Sequence, residues 1–123
     1  MFLRSSLSPS FNFATYLQFG LTSIILNVYS AGISQVAISG GSFTNGQTIK
    51  IAFAYKANDF ILYVNGVQIG TDTSGDISTS LAFIDFGTYN LAASTFQYNG
   101  KISETLLFTT RLTNTQLAQL TTI

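Results

Sequence analysis

Cysteine, histidine and tryptophan are all missing from this chain of 123 residues. Without cysteine there is no disulfide framework and no thiolate metal site, and without histidine the commonest general base and metal ligand is gone. Ser/His/Asp and Cys/His nucleophilic arrangements are excluded together. Charge is scarce as well. Five Lys plus Arg balance five Asp plus Glu, and charged residues make up 8% of the chain, where soluble domains average about 25%. No basic field exists to attract a nucleic acid. Proline occurs once, at Pro9. Nowhere do about eighteen apolar residues run unbroken, as a membrane-spanning helix needs, and the first ten residues hold no apolar run of signal-peptide length. The expectation is a chain with neither a nucleic-acid nor a membrane partner.

Aromatic residues, by contrast, reach 14% and hydrophobic residues 46%. The length suits one domain with a committed core. Its polar surface has to be built from Ser, Thr, Asn and Gln. A neutral surface of that kind resists association weakly, which favours a protein held in an assembly.

The most informative stretch is IKIAFAYKANDFILYVNGVQIG, residues 49–70. Ile49, Ile51, Phe53 and Tyr55 alternate with Lys50, Ala52, Ala54 and Lys56, the period-two pattern of a strand with one face in a core. After a break at Ala57-Asn58-Asp59, Phe60 to Val64 is apolar on both faces and reads as a central strand. Asn65-Gly66 tolerates the positive φ of a type I′ turn, so residues 67–69 return as the hairpin partner.

Around this stretch the pattern is a series of short strands. Phe11, Phe13 and, after a slip at Ala14, Tyr16 and Phe19 mark one that stops at Gly20, and residues 21–29 form another. Ile33, Val36 and Ile38 form a third whose phase slips near Gln35, which a bulge explains. Further strands are expected over residues 81–86, 95–98 and 101–109. Residues 1–10 read as an N-terminal arm, frayed or docked on a neighbouring subunit through Phe2, Leu3 and Leu7. Residues 11–123 form the single domain. One short helix is expected at the end: Thr113 with Gln116 makes a capping box, and Leu112 with Leu117 a hydrophobic staple. Short strands, frequent turns and no long helix argue for an all-β antiparallel sandwich or jelly roll with a short C-terminal helix.

The runs KIAFAYKANDFILYVNGVQIGTDTSG, LAFIDFG and YNGKISETLLFTTRLTNTQLAQLT together resemble the C-terminal half of concanavalin A-like lectin/glucanase (laminin G-like) domains, most closely those of bacteriophage virion and tail proteins. The resemblance rests on Tyr63-Val64-Asn65-Gly66, Asn99-Gly100-Lys101-Ile102 and Arg111-Leu112-Thr113. It implies the fold far more than an activity, because this fold hosts lectins, hydrolases and scaffolds alike. About forty-eight residues precede Ile49 where such domains carry more strands, so the sandwich is abbreviated or a neighbouring chain completes an open edge.

Relatives that hydrolyse glycans use paired carboxylates. Here Glu104 is the lone glutamate, and Asp85 and Asp76 do not pair with it in sequence, so no catalytic residue is assigned. Calcium-binding relatives direct attention to Asp72, Asp76, Asp85 and Asn90. Calcium wants six to eight oxygens, and these positions read first as solvated turn residues, so no metal and no cofactor is assigned. Tyr89 and Tyr98 are candidates for stacking on a sugar, against the plainer reading of aromatic cover for the core. The resemblance implies a non-enzymatic structural protein of a phage particle, located in the virion as a capsid decoration or tail component. Its expected partners are virion proteins and copies of itself. The alternative is a glycan-binding module, with a glucanase-type hydrolase behind it.

Overall fold

A computed structural model describes residues 2–4, 13–20, 22–77, 83–85 and 100–123. Its strands are β1 (Phe2–Arg4), β2 (Phe13–Phe19), β3 (Ile24–Ser30), β4 (Ile33–Gly40), β5 (Ile51–Lys56), β6 (Asp59–Val64), β7 (Val67–Asp72) and β8 (Phe83–Asp85), followed by helix α1 (Asn114–Thr121). They form two antiparallel sheets, ordered β4-β3-β2-β1-β8 and β5-β6-β7. The architecture is the expected β-sandwich.

The smaller sheet follows from its turns. Ala57-Asn58 closes β5 onto β6 with Lys56 opposite Asp59, and Asn58 takes φ 58°. At the next turn Asn65 and Gly66 take φ 51° and 80°, the left-handed pair that a type I′ hairpin requires. Strand β6 lies between the other two and is buried from Phe60 to Val64, as its two apolar faces demand. Phe60, Leu62 and Val64 point into the main core. There they meet Leu17, Ile24, Leu26, Val28, Val36 and Ile38 of the larger sheet. Burying each of these side chains contributes about 1.5–3 kcal/mol.

The phase slip near Gln35 is a bulge. Val28 faces Val36 while Tyr29 faces Ser34, so Gln35 is the extra residue. The sheets meet where β7 and β6 lie against β4. Gly70 allows this approach, since a Cβ there would come within 2.7 Å of the Ile38 Cγ2 atom.

On the other face of β5 and β6, Ala54, Ile61 and Tyr63 receive α1 through Leu117, with Ala52, Leu112 and Ala118 packed around them. The capping box forms as expected: Thr113 Oγ1 accepts from the Gln116 backbone N–H, and the Thr113 N–H donates to Gln116 Oε1 at 2.8 Å. At its other end the helix clamps the hairpin. The Gly66 N–H donates to Thr121 Oγ1 at 3.1 Å, and Lys50 Nζ to the Thr122 carbonyl at 3.0 Å.

Two expectations need amendment. Within the stretch read as an arm, Phe2–Arg4 is a strand paired between β2 and β8, with Phe2 opposite both Tyr16 and Asp85. Residues 101–109, expected as the last strand, carry no regular secondary structure and are exposed throughout. Alternation selects which side chains share a face but supplies no neighbouring strand, and without one a strand is not made. The strand expected over 81–86 is represented by β8, and that expected over 95–98 lies outside the described residues.

Candidate functional site: a polar loop cluster and an apolar surface

The acidic candidates of the sequence fall in different places. Asp72 ends β7, Asp76 lies in the loop that follows, Asp85 ends β8, and Glu104 sits in the exposed 101–108 segment. Tyr89, Asn90 and Tyr98 lie outside the described residues.

Around Asp72 and Asp76 two loops and the bulge of β4 are stitched together. Asp72 Oδ1 accepts from the Ser74 N–H and hydroxyl, each at 2.8 Å. These bonds, the backbone one first, hold the Asp72 carboxyl below its ordinary range. Asn58 Oδ1 accepts from the Gly75 N–H at 3.1 Å, and the Asn58 N–H returns a bond to the Gly75 carbonyl at 2.9 Å. The Asp76 N–H donates to Gln35 Oε1 at 3.0 Å, while Asp76 Oδ1 accepts from the Ile77 N–H. The bulge residue Gln35 is thus used to tie the 73–77 loop to β4, a role its phase slip hinted at but did not identify. Both carboxylates take backbone donors, which is what solvated turn residues do. Among the described residues no three of Asp, Glu, His or Cys gather into a group able to hold a metal.

The larger feature is apolar. Ile102, Leu106, Leu107 and Phe108 are all exposed, Leu107 at 62% and Leu106 at 57%. They are half of the exposed large hydrophobic side chains among the described residues, the others being Ile33, Val67, Leu120 and Ile123. Phe108 and Leu120, with Leu112, Gln116 and Gln119, line an open groove of about 330 Å³ beside α1. Arg111 anchors the end of the segment. Its Nη2 donates to Asp59 Oδ1 at 2.8 Å and its Nη1 to the Leu112 carbonyl. The arrangement offers a contact surface for protein more readily than a pocket for a small polar ligand, because the groove is wide, shallow and fringed by neutral amides.

A two-sheet antiparallel sandwich with a short helix laid on its outer face defines a jelly-roll domain of lectin type. The model of the concanavalin A-like lectin/glucanases superfamily matches residues 3–118, and the chain belongs to that family. No curated protein matches it. Among solved structures it is similar to an S-layer domain-containing protein from Clostridium thermocellum (residues 221–444), with a TM-score of 0.50 and 20% identity. That match covers 92% of this chain, which spans 58% of the length of the other. At this identity the likeness is one of fold.

Proposed function

We propose that the chain is a non-enzymatic structural subunit of a phage particle, a capsid-decorating or tail-associated protein of the virion that acts through protein contacts. The observation that carries this reading is the exposure of Ile102, Leu106, Leu107 and Phe108, the last of which lines the groove beside α1. Four large apolar side chains exposed within seven residues of chain support an interaction site. The zero net charge of the chain supports it too, since little electrostatic repulsion opposes close packing among other subunits. The choice of a phage particle rests on the resemblance of residues 50–75, 81–87 and 98–121 to phage versions of the fold. Mapping the chain in purified particles by electron microscopy tests the reading. Density for the sandwich in the shell or tail is expected, and its absence from assembled particles refutes the proposal.

A second reading, a glycan-binding surface module, is supported by the family itself, which includes lectins, and by the fold shared with an S-layer domain-containing protein. A glycan array separates the two. Reproducible binding that disappears on Asp85→Ala or Tyr89→Ala favours the lectin.

A further inference from the structure

Strand β5 ends its sheet, and among the described residues no strand pairs beyond it. Which of its backbone groups face the open side follows from its first bonds. The Asn65 N–H donates to the Lys50 carbonyl, and the Lys50 N–H to Asn65 Oδ1. In an antiparallel ladder bonding residues alternate, so Ala52, Ala54 and Lys56 bond toward β6 while Ile51, Phe53 and Tyr55 present their N–H and C=O groups outward. Their side chains are half-buried against the main core. Because β7 and β6 lie against β4, this edge is the one turned toward the β2 and β1 side of the larger sheet. An edge with no partner among the described residues, flanked by partly covered aromatics, is a template for another strand.

The same chain carries a segment, outside any strand of the described residues, that suits that edge. The eight residues 101–108 are long enough to span the six of β5, and their apolar side chains are exposed. We infer that the open edge of β5 takes residues 101–108 of a second copy of this chain as an added antiparallel strand, each copy giving one segment and receiving one. The inference deepens the protein-contact reading above by naming a partner and a surface. The register follows from the apolar pattern. Setting Phe53 opposite Leu106 places Ile51 opposite Phe108 and Tyr55 opposite Glu104, so Phe108 and Leu106 extend the core face. Ala52 then faces Leu107 on the side that α1 occupies. A slip of one residue would put Ser103 and Thr105 among the aromatics with Leu107 opposite Ile51, and turn Leu106 and Phe108 to the α1 side. A specific interface needs about 1,000 Å² or more of buried surface, which two such exchanges share, and a reciprocal contact closes on itself. Held by backbone bonds and apolar cover, the contact is insensitive to salt.

The chain has no cysteine, so an engineered pair reports without background. Ala52→Cys protein mixed with Leu107→Cys protein under mild oxidation is expected to give a covalent pair of chains. Ala52→Cys mixed with Ile33→Cys, an exposed position away from the edge, is expected to give at least tenfold less. Light scattering of the unmodified chain should show a mass of two chains or more, and Leu106→Asp, a change at an exposed site, should return it to one chain with an unchanged melting midpoint. A monomeric unmodified chain overturns the inference. So does a double variant, Ala52→Cys with Leu107→Cys, that cross-links only within single chains. Either failure leaves the particle reading standing if the sandwich is found in the particle map, so the two proposals fail separately.

Discussion

Replacing Gly66 with valine tests the clamp between the β6–β7 hairpin and the end of α1. Gly66 sits at φ 80°, where a β-branched residue costs roughly 1–2 kcal/mol in backbone strain. Position alone is half the effect. A Cβ on Gly66 would lie 3.3 Å from Thr122 Oγ1 and 3.6 Å from Thr122 Cα, and the larger valine has to push the last turn of the helix away. That displacement breaks the Gly66 N–H bond to Thr121 Oγ1, for about 1 kcal/mol more. The sum is about 2–3 kcal/mol, or roughly 8–12 °C in melting midpoint for a domain of this size. Gly46→Val is the control. Gly46 has φ 84° but nothing within 4 Å of an added Cβ, so it should show the strain alone. Calorimetry of the two variants should place Gly66→Val below Gly46→Val by about 1 kcal/mol. Equal losses would show that the helix end does not bear on the hairpin, and an unchanged midpoint for Gly66→Val would refute the turn assignment itself.

Thr113→Ala removes the acceptor for the Gln116 N–H and should cost about 1 kcal/mol, seen as earlier loss of helical signal on heating. Asp72→Asn probes acid sensitivity. The folded-state carboxyl of Asp72 is held below its ordinary value by Ser74, so its stabilising effect is present above the unfolded value and fades as pH falls through the folded one. The gap in denaturation midpoint between wild type and Asp72→Asn should therefore shrink between neutral pH and pH ~2; a gap that widens on acidification reverses the assignment. Glu104→Gln, at an exposed position, should leave the melting midpoint within about 0.5 kcal/mol. Loss of a glycan-hydrolysing activity in that variant would overturn the non-enzymatic reading.

What could be read from residues alone was local. The break at Ala57-Asn58-Asp59, the hairpin at Asn65-Gly66, the bulge at Gln35 and the Thr113 to Gln116 box each depend on a few neighbouring residues. Residues 60–64 announced their central place because both faces are apolar. Pairings between distant segments were not legible. Phe2–Arg4 is too short to show a period, and its place beside β2 and β8 is set by partners far along the chain. The 101–109 pattern named a face but not a neighbour. The polar cluster shows the same division: that residues 71–76 are polar and lead into a loop was plain, but that Gln35 meets Asp76 across 41 residues and Asn58 meets Gly75 across 17 is a property of the fold.

The clamp also dictates an order of assembly. Eight residues are too few for α1 to persist by itself in water, and its contact with Gly66 spans 55 residues of chain. The hairpin must therefore be in place before the helix has anything to rest on. The same logic runs backward on unfolding: α1 departs first, and the amides of Ile61 and Tyr63 lose their cover while the main core between the sheets still holds. Hydrogen exchange should then divide β6 by time, with the amides of 114–121 opening fastest, followed by the outer face beneath them, and the residues packed against Ile24 and Leu26 last.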